Sequence, residues 1–319
     1  MKLGIFTAVY AHLGLDEVLR RVSEIGFEAV EIPAHRNNGL LDIEDVLKGN
    51  NAKRLKNKVE SYGLTISALS NHIEGQLVLG PHHRDTDHFF EGTPKEKVAY
   101  GTGRMKKTAQ AANALEIPVV VGFCGCEDWS RWFPWPADRG WEEMADKFVE
   151  RWDDILNTFA QYGVKFAHEP HPKQYAYDVE TSELTVKLLG GRKEWGFNFD
   201  PANLLLAGID VVAFIQALGD RIYHVHVKDA EIVKHNVGRS GMFAHGDWQR
   251  IDRGFRFRIP GWGDVPWKRV ITELRLVNYD YVLSLEHEDA TMSRQDGVTK
   301  AYNFLKPLII EKPFEGRWW

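Results

Sequence analysis

The sequence predicts a (β/α)8 barrel, an α/β fold of eight parallel strands each followed by a helix. Three observations carry that expectation. Eight short β-rich runs punctuate the chain, amphipathic helical patterns lie between them, and four consecutive runs end in side chains able to bind a metal. The first run, residues 3–7, leads into a helical pattern over 15–25 that stops at Gly26. The run 29–32 precedes a pattern over 51–62 that stops at Gly63, and 65–70 precedes a long Ala/Lys-rich pattern over 96–115. The run 119–123 precedes 141–162, which stops at Gly163, and 165–169 precedes 180–189, which stops at Gly190 and Gly191. The run 196–200 precedes 209–218, which stops at Gly219, while 222–227 precedes 267–277 and 282–286 is the last run. Glycine just past a periodic run is a common helix stop, because it adopts the left-handed conformation without a Cβ clash. Eight strands in alternation with helices imply a parallel sheet, and eight is the number that closes a barrel. The alternative is a doubly wound open sheet. That fold usually carries a glycine-rich phosphate loop after its first strand, and TAVYAHLG is not one.

Composition narrows the function. The chain has 319 residues, 44% of them hydrophobic, enough for one large core, and no low-complexity linker divides it, so one domain over 1–319 is expected. A formal charge of −5, from 40 basic and 45 acidic residues, offers no electrostatic reason to bind nucleic acid. No apolar run reaches the length of a membrane span. The start, MKLGIFTAVYAHLGLDEV, reads as strand then helix rather than as a signal peptide. Cys124 and Cys126 are too close to staple distant segments, so a cytoplasmic location is expected and the pair reads as two small residues ending a buried strand. Residues 71–93 and 229–265 are long connections rich in His, Arg and aromatics, which favours lids over linkers. The insertion CEDWSRWFPWPADRGW carries four tryptophans and reads equally well as subunit contact or substrate platform. The terminal GRWW suggests packing against the barrel or a neighbouring subunit, so a homo-oligomer is expected.

The chemistry concentrates where strands end, since the C-terminal ends of barrel strands form the active-site face. In VKFAHEPHPKQYAYD the fifth strand ends at Glu169, between His168 and Pro170. The sixth ends at Asp200 in GFNFDPANL, the seventh carries His224 and His226 in YHVHVKDAE, and the eighth ends at Glu286 in LSLEHED. A lone glutamate at a strand end is ordinarily a solvated rim residue, and a lone strand histidine is ordinarily a hydrogen-bonded core residue. Glu, Asp, His and Glu on four successive strand ends favour a metal site instead. The prolines after Glu169 and His171 stiffen the exit. Three carboxylates and one imidazole make a hard, oxygen-rich site suited to Mn²⁺ or Mg²⁺, with Co²⁺, Fe²⁺ or Zn²⁺ as substitutes. A metal that chelates a carbonyl and its neighbouring hydroxyl stabilises charge on those oxygens, so the adjacent C–H becomes acidic. Two glutamates flanking the metal could remove and return that proton, which is isomerase or epimerase chemistry through an enediolate.

This arrangement resembles the xylose isomerase-like barrel superfamily, in the branch of sugar phosphate isomerases and epimerases that includes tagatose/psicose 3-epimerases and inosose dehydratases. The likeness spans nearly the whole chain. LDEVLRRVSEIGFEAVEI is similar to that family's first βαβ unit, and RIPGWGDVPW to its PGxGxxxW element. The resemblance implies Glu169, Asp200, His226 and Glu286 as metal ligands, with Glu169 and Glu286 also as the acid/base pair. Two departures set this chain apart from the epimerases, Asn203 where they commonly have histidine and Ile232 where they often have arginine. With the wide gap between His226 and Glu286, they suit a bulkier substrate such as a glycoside. The layout also resembles the catalytic subunit of bacterial C-glycoside deglycosidases, which implies a lyase acting on 3-keto-glycosides and a small β-rich partner subunit. In that reading His171 is a candidate general base, and otherwise it orients Glu169.

Lys228, His72, Asn203, Arg258 and Trp262 are the candidate substrate-binding residues. Lys228 could instead pair with a carboxylate, and His72 could instead cap a loop. Arg253, Arg256 and Arg258 could bind an acidic group or instead form a solvated loop face, and the irregular spacing of His82, His83 and His88 speaks against a second metal. The expected function is a metal-dependent sugar isomerase or epimerase, with a lyase using the same proton abstraction as the alternative. An endonuclease IV-like repair enzyme would need a His-rich trinuclear site and a basic face. A non-catalytic barrel would have no use for the ligand quartet.

Overall fold

Eight parallel strands close into a barrel in the computed structural model, which describes every residue except Ala137, Trp248, Gln249, Pro313, Glu315, Trp318 and Trp319. The terminal pair Trp318 and Trp319, expected to pack against a surface, therefore lies outside the described residues. The strands are β1 (Lys2–Phe6), β2 (Ala29–Pro33), β3 (Thr65–Ser70), β4 (Val119–Gly122), β5 (Lys165–His168), β6 (Trp195–Phe199), β7 (Ile222–Val227), β8 (Asp229–Ile232), β9 (Phe255–Arg258) and β10 (Val282–Leu285). Around the barrel the order is β1, β10, β7, β6, β5, β4, β3, β2, with β1 pairing β2 to close the ring. The helices are α1 (Leu15–Ile25), α2 (Ile43–Val46), α3 (Asn51–Ser61), α4 (His72–Leu79), α5 (Pro94–Ala114), α6 (Ala145–Tyr162), α7 (Val179–Leu188), α8 (Pro201–Leu206), α9 (Val211–Leu218), α10 (Lys234–Ser240), α11 (Trp267–Leu276) and α12 (Arg294–Leu305). None of them is long and apolar enough to cross a membrane.

Local signals explain most boundaries. Gly26 and Gly163 end α1 and α6 in the left-handed region, at φ 108° and 66°. Thr93 and Glu96 form a reciprocal capping box at the start of α5, with Pro94 in its first turn. Aromatic packing joins α6 to the barrel: Trp152 stacks on Phe166 at 4.5 Å and meets Trp195 edge-on at 5.3 Å. All three rings are buried. Truncating such a ring leaves a cavity, so Trp195→Ala should cost about 3–5 kcal/mol.

Both long connections are more ordered than lids. Residues 72–79 form α4, whose start is capped by Asn71 accepting from the Glu74 amide. Between β7 and β10 the chain folds into an antiparallel hairpin, β8 with β9, in register from Asp229 opposite Arg258 to Ile232 opposite Phe255. The hairpin rests on α8, where Phe255, Phe257 and Ala230 pack against Ala202 and Leu206. In the tryptophan insertion Trp129 packs on Tyr177 and Phe243, while Trp132, Phe133 and Trp135 stay exposed.

Candidate metal centre

The four strand-end residues converge. One ligand atom each from Glu169, Asp200, His226 and Glu286 lies within 4.8 Å of the others. Glu169 is 2% exposed, Asp200 1% and His226 0%, while Glu286 is half-buried. With bonds of about 2.1 Å, ligands on opposite sides of an ion lie about 4.2 Å apart, so the cluster has the dimensions of a coordination shell.

Each residue is aimed by its local structure. Glu169 keeps the β4 pairing one residue past β5, its amide donating to the Gly122 carbonyl at 3.0 Å. Asp200 is the N-cap of α8. Its Oδ1 accepts from the Ala202 and Asn203 amides, which commits one oxygen and turns Oδ2 inward. Asn203, in the first turn of α8, donates from Nδ2 to Glu169 Oε1 at 2.8 Å and to Asp200 Oδ2 at 3.0 Å. Asn198 donates to Glu169 Oε2 at 2.8 Å, and His72 Nε2 lies 3.1 Å from that oxygen. Three side chains thus orient Glu169, and no hydrogen bond joins it to His171. His226 places Nε2 against Glu31, 3.1 Å from Oε1 and 2.9 Å from Oε2. Its Nδ1 lies 3.0 Å from Glu169 Oε2 and 3.2 Å from Glu286 Oε2, yet has no hydrogen-bonding geometry to any partner among the described residues.

That buried nitrogen tests whether the residues fit a metal. A nitrogen lone pair facing two carboxylate oxygens is repulsive unless a proton or a cation sits among them. Charge points the same way. Glu169, Asp200, Glu286 and Glu288 outnumber Lys228, the one lysine that meets them among the described residues, so the cluster is short of positive charge. Lys228 is buried, with Nζ 2.9 Å from Asp200 Oδ2, 2.8 Å from Glu286 Oε2 and 3.2 Å from Glu288 Oε2. Burial pushes the Asp200 carboxyl up to about 7 against the pull of Lys228. Burial also acts to raise Glu286, but the Lys228 and His226 charges outweigh it and hold Glu286 down to about 2. Burial disfavours a charged His226, and Glu31, Glu286 and Glu169 outweigh burial and raise its pKa well above the ordinary value. The donor set fits a divalent cation.

Above the cluster opens a cavity of about 340 Å³, lined among others by Phe6, His72, Phe123, Glu169, His171, Lys228, Phe257, Glu286 and Glu288. His171 donates from Nδ1 to the Pro172 carbonyl at 2.6 Å, because a carbonyl can only accept. Its neutral ring therefore keeps an acceptor at Nε2, and burial holds its pKa below the ordinary value. His72 and Lys228 both line the cavity, and Lys228 also pairs with three carboxylates.

The other expected substrate contacts sit elsewhere. Asn203 does not line the cavity, because the ligand carboxylates occupy its amide. Arg258 is engaged by Asp289 at 2.8 Å and Glu231 at 2.9 Å on the hairpin. Trp262 is 51% exposed, with the Arg258 guanidinium over its ring at 5.6 Å. The reason lies in Asp229. Its carboxylate accepts from the Gly261 and Val265 amides, each at 3.0 Å, and from Trp267 Nε1 at 2.8 Å. A Cβ on Gly263 would come within 2.2 Å of the same carboxylate. The PGWGDVPW element is thus a clasp on the exit of β7, and Trp262 turns outward from it.

Residues absent from the expected site complete the centre. Glu31, Asn198 and His224 are all fully buried. His224 links Asn198 at 3.0 Å to Ser67 at 3.4 Å. A carboxylate inside the apolar strand AVEIP was the available signal for Glu31. Asn198 carried none, since one amide in a strand has many ordinary explanations.

Comparison with known proteins places the chain in a family. The chain is 26% identical to the uncharacterized protein YfiH of Bacillus subtilis, over 98% of this chain and 100% of that one. It is 27% identical to the inosose dehydratase of Lactiplantibacillus plantarum, over 56% and 57% of the two chains. Among solved structures it superimposes on a probable 3-DHS dehydratase, AsbF of Bacillus anthracis, with TM-score 0.68, 18% identity and coverage of 96% and 99%. The IOLI protein with a bound zinc atom gives TM-score 0.64 at 17% identity, covering 97% and 98%. The 3-keto-D-glucoside 4-epimerase YcjR of E. coli gives 0.62 at 15% identity, covering 95% and 99%. These likenesses to solved structures concern the fold. A sequence profile described as xylose isomerase-like TIM barrel matches residues 19–308, and the chain belongs to that family.

Proposed function

We propose that this protein is a divalent-metal-dependent enzyme that removes the proton beside the carbonyl of a keto-sugar, as an isomerase or epimerase. The observation that carries the reading is the buried Nδ1 of His226, facing the Glu169 and Glu286 carboxylates at the floor of an open cavity. Glu169, Asp200, His226 and Glu286 would hold the ion, and an oxygen-rich set favours Mn²⁺. When bound, the ion would polarise the substrate carbonyl and stabilise charge on its oxygen. Glu169 and Glu286 reach the site from different strands, so one takes the proton and the other returns it. Lys228 supplies a fixed positive charge beside the substrate oxygens. His72, held 3.1 Å from Glu169, restrains that carboxylate against the cavity wall.

A second reading, elimination of water or of an aglycone, is favoured by His171. Its ring lines the cavity and keeps an unprotonated nitrogen, a third proton-handling group that a two-base epimerisation does not need. The dehydratase relative supports the same alternative. Incubation of the Mn²⁺-loaded protein in D₂O with keto-sugars and 3-keto-glycosides, followed by NMR and mass spectrometry, separates the two. Deuterium gained beside the carbonyl with the skeleton intact means epimerisation or isomerisation. Loss of water or aglycone means elimination. Neither outcome, with and without a small β-rich partner subunit, would overturn both readings.

A further inference from the structure

Glu31, His224 and His226 form a second buried group of ligating side chains, with one atom from each within 4.8 Å of the others. By residue type it could hold a second cation. Its hydrogen bonds say otherwise. Glu31 Oε2 accepts from Ser284 Oγ at 2.8 Å and lies 2.9 Å from His226 Nε2. The Thr7 hydroxyl donates to the Glu31 carbonyl at 2.7 Å and pins its backbone. His224 stands 3.8 Å from Glu31, and both its nitrogens have partners, Asn198 Oδ1 and Ser67 Oγ. Every polar side-chain atom of Glu31 and His224 is engaged, while the orphan nitrogen of the third residue, His226 Nδ1, faces the other way.

We infer that Glu31 is the positioning residue of the metal centre: its carboxylate fixes the tautomer and aim of His226 so that Nδ1 is the metal-binding atom. The inference rests on the metal reading proposed above. A carboxylate flanked by a donor hydroxyl can only accept from the ring, so Nε2 must carry the hydrogen. The neutral ring then presents its lone pair from Nδ1, toward Glu169 and Glu286. A carboxylate behind a ligating imidazole also makes the ring a stronger donor, and such partners are worth about 10–100-fold in metal affinity. The path runs Ser284–Glu31–His226, from β10 through β2 to β7, so three strands hold one nitrogen in place.

The test uses the full chain, Mn²⁺ and Zn²⁺, and a chromogenic competing chelator. Glu31→Gln keeps the shape and an acceptor oxygen but loses the charge, and its metal affinity should fall about 10–100-fold. Glu31→Leu loses the acceptor as well and should fall further, so partial rescue by Gln separates positioning from packing. In the Zn²⁺-loaded protein, ¹⁵N-histidine NMR should show His226 protonated at Nε2, and that signature should be lost in Glu31→Leu. Metal analysis should give one ion per chain. If Glu31→Leu does not fold, Glu31→Gln and the wild-type NMR signature decide. Wild-type affinity in Glu31→Gln, an unprotonated Nε2 in the wild type, or two ions per chain would each overturn the inference. If Glu169→Gln and Asp200→Asn lose metal while Glu31→Gln keeps it, the inference alone fails. If all three keep it, the metal reading fails.

Discussion

Two clusters of buried charge lie at the strand exits, and they are built on opposite terms. At the exit of β3, Glu74 is as buried as Glu169 or Asp200, and each of its oxygens receives two donors. Oε1 takes Tyr100 Oη at 2.9 Å and the Arg36 amide at 3.0 Å, while Oε2 takes Arg104 Nε at 2.7 Å and Asn71 Nδ2 at 2.8 Å. Arg104 spends its remaining donors on the Ala34 carbonyl and Glu44. At the exits of β5, β6, β7 and β10 the carboxylates outnumber their cations, and His226 Nδ1 faces two of them. A buried charge that is fully satisfied holds structure together. A buried cluster left short of positive charge must take up protons or a cation.

Substitutions can break that contrast. The largest effect should come from Glu169→Gln or Glu286→Gln, each lowering turnover by roughly 10²–10⁴-fold as a proton-transfer group is lost. Steady-state rates on the substrate found in D₂O would show it, and full activity with full metal content in either would remove that residue from the site. The opposite signature should belong to Glu74→Leu. It strands Arg104 in the interior and should cost about 3–5 kcal/mol of stability by denaturant titration, while metal bound per folded molecule stays unchanged. Metal loss from that variant would mean the two clusters are coupled.

Milder perturbations sharpen the comparison. Saturating the site at about 100 times its dissociation constant should stabilise the chain by about 2.7 kcal/mol, so chelation should lower Tm and added Mn²⁺ should restore it. Asp200→Asn should shrink this response, whereas Glu74→Gln should not. The smallest effect concerns protons. In the metal-free site the pKa values of His226 and Asp200 are raised, so ligand atoms hold protons near neutrality. Metal must displace them, and affinity should therefore rise with pH between about 6 and 8. Calorimetry in buffers of different ionisation enthalpy would count about one proton released per ion. No release would mean that the ligands are already bare.

Much of this was legible in the sequence because it is encoded locally. Alternation within strands, helical periodicity and glycine stops depend on neighbours a few residues apart, so all eight barrel strands and most flanking helices fall where the pattern puts them. The ligand quartet was legible for a related reason. A strand end is a local feature, and the barrel rule turns four strand ends into one place. The hairpin of β8 and β9 was not legible, since FRFR is short and its pairing with DAEI spans more than twenty residues. The roles of Arg258 and Trp262 were hidden because Asp229, which shapes their loop, looks like any strand-end acid until its distant donors, Gly261, Val265 and Trp267, are in place.

By itself, then, the sequence determined the barrel and the four strand-end residues that converge at its mouth. Only the tertiary structure decided which atoms of those residues are available. It committed Asp200 Oδ1 to a helix start, His226 Nε2 to Glu31 and the Asn203 amide to two carboxylates, leaving Nδ1 and a few oxygens to face one another. The physical reason is that hydrogen-bond donors and acceptors are used up in pairs. Those partners come from strands up to 253 residues apart, as with Ser284 and Glu31, and no local pattern records that pairing.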